Sequence, residues 1–400
     1  MTPKQKLLSR KYLVYQFCSN LWFITAVWLY FYRIFITDQK IGLLDGIAFA
    51  IGLLAEIPAG ALADRFGRDK LARMGLILAG LGLIVQAAGS SFLIFVIGQS
   101  IMMIGMSFTS GADEALFFNN LNFERSSVEW RKLLTRGSQI ALLGTIVATL
   151  VGGLLQHSYP RLPWLLNGLG LVFSSVLIWS IKDTRPRIAR QKFSREVRAY
   201  IADIKRGFMA FSKPKLWLYV PIIISVQGLF YATGYGLLRI ILLSRFHFSP
   251  WAGAVAIASC SLISVGVLAW MHKQAQSLSE KKVISTITLS AACSLLIAIF
   301  RVGVWGYFVI LILFVGEYTL VPFMSETVNY HSSEDQRATI LSVASFLRTL
   351  PYVILAPIIG ALNTHHHLDY FLISWAVLIL LSVLVYISLK HRDTLISVPE

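Results

Sequence analysis

Residues 56–70 read EIPAGALADRFGRDK. The first half is small and apolar; the second half carries Asp64, Arg65, Arg68, Asp69 and Lys70. Such a switch marks the end of a helix leaving an apolar medium and the turn that sends the chain back. Gly60 lets a neighbouring helix come close, as small residues do in membrane bundles. Gly67 can supply the positive φ of a tight turn. Asp64 puts an anion at a helix end, where the backbone dipoles act on it. On either side lie long apolar runs, near 41–63 and 70–89, so the connection between them is short.

Ten more such runs lie near 12–33, 91–113, 136–157, 162–182, 216–238, 250–271, 282–300, 303–325, 339–362 and 369–389. They are long and continuously apolar, which predicts membrane-spanning helices of roughly 20 residues rather than alternating barrel strands of about ten. The composition agrees: of 400 residues 56% are hydrophobic and 14% charged, whereas soluble domains carry about 25% charged residues. A soluble, disordered or disulfide-stapled chain is excluded. Cys18, Cys260 and Cys293 fall in apolar runs and read as small buried hydrophobes.

The net charge of +16 is concentrated in alternate connections. One is the 64–73 turn, another holds Arg125, Arg131, Lys132 and Arg136, and the stretch 183–215 carries ten Lys and Arg. Basic loops stay on the cytoplasmic side, so both termini are expected there, in a prokaryotic inner membrane. No cleavable leader is expected, because the apolar run after the basic start outlasts a signal core. Nucleic acid is not an expected partner, since no basic stripe with interleaved aromatics lies outside the spans. The predicted organisation is a six-helix bundle over 1–182, a cytoplasmic linker over 183–215 with an amphipathic helix at 193–211, and a second six-helix bundle over 216–400. A weak repeat, DEALFFN at 113–119 and SETVNYH at 325–331, supports two halves. Repeated bundles around a midplane site are the logic of secondary transporters.

The 56–70 stretch resembles the signature loop of the major facilitator superfamily, of the form G-x-L-a-D-r-x-G-r-k. Gly60, Leu62, Asp64, Arg65, Gly67, Arg68 and Lys70 match, and Asp69 stands where a basic residue is commoner. SFTSGADEAL at 107–116 is also similar to a stretch of that family, and the resemblance covers the whole chain. It implies an all-α membrane protein with twelve transmembrane helices in two pseudo-symmetric six-helix bundles. It further implies an inner-gate network of Gly60, Asp64, Arg65, Gly67, Arg68, Asp113 and Glu114. In it Asp64 faces the start of the eleventh helix near 337–340, and Arg68 pairs with Asp113 or Glu114. GTIVATLVGG at 144–153 resembles the antiporter signature of span five in Gly144, Gly152 and Gly153, with Ala148 and Thr149 standing where that pattern has Gly-Pro. This is the basis for a multidrug-efflux-like branch.

Ionisable residues inside a membrane cost about 2.5–3.5 kcal/mol on insertion scales and are functional candidates. Glu56, Glu317 and Arg348 lie at similar depth, roughly 10–14 Å from the inner face at 1.5 Å per residue. They are the proton-coupling candidates, with Glu317 and Arg348 as plausible partners on neighbouring helices. The resemblance places helices one, four, seven and ten around a central cavity. Their polar and aromatic faces offer Tyr15, Gln16, Asn20, Trp22 and Phe23, then Gln99, then Gln227, Tyr231 and Tyr235, then Tyr318. Amides flanked by aromatics suit a flat amphipathic or cationic organic ligand.

The expected function is secondary active transport of a small amphipathic organic molecule by alternating access, as proton-coupled efflux from a monomer. A metabolite importer, a lipid-linked flippase and a transport-dead sensor or scaffold are the alternatives. No cofactor or metal is expected. His365–His367 read as a solvated loop, and no nucleotide-binding loop, zinc helix motif or nucleophile elbow points to an enzyme.

Overall fold

The computed structural model of the chain describes residues 2–121, 128–183, 202, 205–211, 214–274, 279–332 and 337–396, and all regular structure among them is helical. In order, the main helices are α1 (Pro3–Ser19), α2 (Trp28–Tyr32), α3 (Asp38–Phe66), α4 (Arg68–Ala88), α5 (Phe92–Thr109), α6 (Ala112–Leu121), α7 (Val128–Leu155) and α8 (Leu162–Leu177). Then come α9 (Val220–Gly234), α10 (Leu237–Arg245), α11 (Pro250–Lys273), α12 (Glu280–Ala298), α13 (Gly306–Tyr330), α14 (Arg337–Thr364) and α15 (Leu368–Ile396).

Eight helical stretches among the described residues are long and apolar enough to cross a bilayer, and the bent pair α9–α10 makes a ninth. The broken α1–α2, the 29-residue α3 and the shorter apolar α8 complete twelve spans. Leu93, Val176 and Leu384 are 65%, 60% and 58% exposed. Large apolar side chains facing outward in such numbers suit a lipid surround.

The chain divides into two compact units: Met1–Ile36 with Ile47–Tyr200 and Pro250–Ala254, and Thr37–Gly46 with Ile201–Ser249 and Val255–Glu400. In the first unit α4 packs against both α5 and α8. Small residues make this possible. A methyl group on Gly80 would meet the Gly168 carbonyl at 2.6 Å, and one on Gly82 would meet the Gly98 carbonyl at 2.5 Å. Phe31, Tyr32, Phe95 and Trp164 fill the space beside α4, with ring centroids 4.9–5.8 Å apart.

Two spans depart from the continuous rods expected. The first stops at Ser19 and resumes at Trp28, leaving turns over 20–27. These turns pack on α7: Thr145 donates to the Asn20 carbonyl at 3.0 Å, and the Phe23 carbonyl lies where a methyl on Gly152 would sit. The glycines of 144–153 are thus occupied in close packing. Gly152→Ala is expected to cost about 1–3 kcal/mol through overpacking, read as a lowered unfolding midpoint in detergent; an unchanged midpoint would show that the 20–27 turns are free to shift. The other departure is the bend in span seven, described below.

Most of the predicted amphipathic helix at 193–211 lies outside the described residues. Its end, 205–211, is helical. There Gly207 fits against Thr339 and Val343, and the Phe208 ring meets Phe346 at 5.7 Å. This end packs on α14 while leaving Phe208 exposed.

Candidate functional site

The core of the second unit holds the buried Asp45 and Arg239, with the half-buried Glu317 and Arg348 close by. It is built on an irregular span. Residues Ile223–Gln227 of α9 form a π-helical turn that buries Gln227; such turns are frequent at functional sites. The span then bends by 67° between α9 and α10, across Tyr235 and Gly236. Gly236 is required there because any side chain would strike the Tyr352 ring.

A helix that starts inside the bilayer exposes backbone N–H groups with no intrahelical acceptor. α10 has no capping side chain of its own. Tyr352 of α14 supplies the acceptor: its hydroxyl takes the Leu237 N–H at 2.7 Å and donates to the Asp45 carboxylate. Asp45, at 3% exposure, sits in the Thr37–Gly46 part of α3 that belongs to this unit.

The bend carries Arg239 inward. It is 7% exposed, and its guanidinium stacks over Phe314 at 5.4 Å. Glu317, one turn along α13 from Phe314, lays its carboxylate against Gly234, filling the space a methyl would take. Arg348 of α14 stacks over Tyr231 at 5.6 Å, and Tyr231 packs on both Tyr235 and Tyr352. Tyr318 stacks on Phe314 with rings 15° from parallel.

Glu317 lies in the fields of both Arg239 and Arg348. Among the described residues it makes no ion pair within 4.0 Å. The expected Glu317–Arg348 partnership is therefore corrected: the carboxylate stands between two arginines and touches neither. The Nε atoms of Arg239 and Arg348 are buried without a hydrogen-bond partner.

The first-unit candidates divide. Tyr15 is 1% exposed and donates to Asp113 at 2.7 Å, which makes it a core pillar and not a cavity wall. Gln16 and Asn20 are half-buried and joined to one another, with the Asn20 amide donating to the Gln16 carbonyl at 2.9 Å. Trp22 and Phe23 lie in the broken stretch of span one, half-buried. Gln99 has a buried side-chain oxygen without a partner. Glu56 is exposed and has no hydrogen bond or ion pair among the described residues.

In the motif turn Gly67 adopts φ 93°, as the spacing predicts. Arg65 is exposed beside Phe66. Arg68 donates its backbone N–H to Asp183, and the hydrogen bond that Asp113 accepts from a side chain comes from Tyr15. Glu114 is exposed. The unusual Asp69 has a local reason: it pairs with Arg73, which stacks over Trp179 at 5.1 Å. Gly60 lies within α3 and residues 337–340 open α14, while the side chains of Asp64, Arg337 and Ala338 lie outside what the structure describes.

Sequence reasoning missed Arg239, Asp45, Gly234 and Tyr352. Arg239 falls just past the expected end of span seven, where it reads as an outer-loop charge. Asp45 falls in the first turns of span two and reads likewise as interfacial. The available signal was the GYG triplet at 234–236, a helix breaker next to a charge in an apolar run.

Solved transporters share this architecture. A peptide transporter, POT, in complex with alafosfalin superposes with a TM-score of 0.79 at 14% identity, covering 97% of this chain and 95% of that one. The nucleoside transporter NupG gives 0.75 at 12% identity, with 96% and 99% covered. A bacterial homologue of the human lysosomal transporter Spinster, inward-facing and unoccupied, gives 0.71 at 16% identity, with 98% of each chain covered. At such identities these likenesses speak for the fold. No curated protein matches the sequence. The family model of the Major Facilitator Superfamily matches residues 12–356. With twelve spans, the motif turn at 60–70 and that match, the chain belongs to the Major Facilitator Superfamily, a family of multi-pass membrane transporters and not of enzymes.

Proposed function

We propose that the chain is a proton-coupled secondary transporter of a small amphipathic organic molecule, with Glu317 as the proton carrier. The observation that carries this reading is the placement of Glu317. It is packed against Gly234, in the field of two arginines and in ion-pair contact with neither. A carboxylate so placed can gain or lose a proton without breaking a salt bridge, and either change alters the balance of a buried charge cluster. That is what a switch between two access states requires, because a ligand shifts such an equilibrium only by its differential affinity. Tyr231, Tyr235 and Tyr318 surround the charges with aromatic surface, which suits the apolar part of an organic substrate.

Glu56 is the weaker candidate, since it is exposed and meets no charged partner among the described residues. Export by exchange rests on the span-five glycines, and the packing of Gly144 and Gly152 against Phe17 and Phe23 accounts for them. The inner gate at Asp64 and Arg68 stays part of the proposal. Its test is Asp64→Asn, expected to raise cytoplasmic labelling of a cysteine placed in α7.

Proteoliposomes with an imposed pH gradient test the main reading. Compounds selected by thermal stabilisation of the purified protein are expected to accumulate against their gradient, and an ionophore that dissipates the pH difference is expected to abolish this. Accumulation that survives the ionophore would overturn proton coupling.

A further inference from the structure

The charges around Glu317 do not balance. Two guanidiniums, Arg239 and Arg348, share one carboxylate. The titratable groups that act on Arg239 are Glu317, Tyr318 on α13, Tyr235 at the α9–α10 bend and Cys260 on α11. The last three are hydroxyls and a thiol, neutral near pH 7 in their ordinary state. Glu317 itself faces Arg239 from α10 and Arg348 from α14. The other buried acid of this unit, Asp45, accepts from the Tyr352 hydroxyl and is not among the groups acting on Glu317 or Arg239, so it is counted apart from these three. Arg239, Arg348 and Glu317 taken by themselves carry one positive charge with Glu317 ionised and two with it protonated.

A surplus charge in a membrane interior is costly and calls for a partner. Both arginines keep a buried Nε without a hydrogen-bond acceptor. Planar guanidinium forks match carboxylate and phosphate geometry. The rings of Tyr231, Phe314 and Tyr318 lie beside them, and Tyr235 is 65% exposed at the bend. Donors without acceptors, surplus positive charge and aromatic walls describe one ligand chemistry. Resting on the transport reading above, we infer that the Arg239–Arg348–Glu317 cluster binds the anionic head of an organic acid, and that this anion and the proton on Glu317 bind cooperatively.

The sign of coupling follows from charge. Protonating Glu317 removes the one negative charge competing for the arginines, so proton and anion each favour the other's binding, reciprocally. A cationic substrate would compete with the proton instead. Mutual enhancement is the condition for moving both in the same direction, whereas competition is the condition for exchange. The cationic ligand suggested by the amides and aromatics of the sequence is replaced here by an anionic one, because Arg239 turns inward.

Three compounds of similar size test this on the full-length protein in detergent: phenylacetate, phenylacetamide and phenethylamine. Phenylacetate is expected to bind about tenfold or more tightly than the other two, a difference of about 1.4 kcal/mol, and more tightly at mildly acidic than at mildly alkaline pH. Arg239→Gln and Arg348→Gln should each erase that preference, and Arg348→Lys should keep part of it. Glu317→Gln should bind phenylacetate at alkaline pH as tightly as the wild type does at acidic pH. If a glutamine variant does not fold, the wild-type pH profile and Arg348→Lys still decide. Equal or better binding of the amine or amide, survival of the preference in both glutamine variants, or no binding of any of the three overturns the inference. Flux separates the two levels: transport of the amine without phenylacetate sinks the anion site and spares the transporter, whereas phenylacetate binding without flux of any compound does the reverse.

Discussion

Glu317→Gln is expected to uncouple the transporter. For one proton per substrate, a gradient of about one pH unit supplies about 1.4 kcal/mol, or roughly tenfold accumulation. The wild type should approach that ratio in proteoliposomes, and the variant should equilibrate substrate to a ratio of about one at the same driving force. Exchange of labelled for unlabelled substrate should persist, because Gln keeps the volume of Glu against Gly234 while losing the titration. Full accumulation by Glu317→Gln, alongside its loss in Glu56→Gln, would move the proton carrier to α3.

Tyr352→Phe is expected to be among the most destabilising conservative changes in the chain. The hydroxyl serves two buried partners at once, the Leu237 N–H and the Asp45 carboxylate. Removing it leaves the first turn of α10 without this cap and takes one donor from a carboxylate that is 3% exposed. Each group stripped of a buried partner costs about 1–3 kcal/mol. The unfolding midpoint in detergent should fall well below that of Gly152→Ala. Because the same bond holds the α9–α10 bend that carries Arg239 inward, ligand binding should weaken with it. A midpoint equal to the wild type's would mean that another group caps α10.

The fold was legible in the sequence because its signals are one-dimensional. Apolar runs of the right length, basic alternate connections and the Gly60–Lys70 pattern need no tertiary information, and Gly67 took the positive φ the turn requires. The candidate site was legible only in part. Glu317, Arg348, Tyr231, Tyr235 and Tyr318 stand out because each interrupts or lines an apolar run, and the structure places them near one another in the second unit. Arg239 was missed because hydropathy treats a span as a straight rod that ends where charges begin. A rod bent by 67° at Gly236 carries its post-terminal arginine back into the core. Tyr15 was misplaced for a complementary reason. Periodicity gives the face of a helix but not which neighbour claims it, and Asp113 claims Tyr15 for the core.

The bent span also explains why substrate chemistry could not be read from composition. With Arg348 alone beside Glu317 the site would be neutral. With Arg239 added the three groups carry a positive charge, and the ligand proposed for them changes sign. On the proposal above, the bend that turns Arg239 inward is what favours co-transport over exchange.

Proton uptake on ligand binding separates an anion site coupled to Glu317 from every alternative. Purified protein in weak buffer with an indicator dye is titrated with phenylacetate near neutral pH. Protons should be taken up, by no more than one per ligand bound, and Glu317→Gln should bind without uptake. Release of protons on binding, or binding with no proton movement in the wild type, would contradict that coupling.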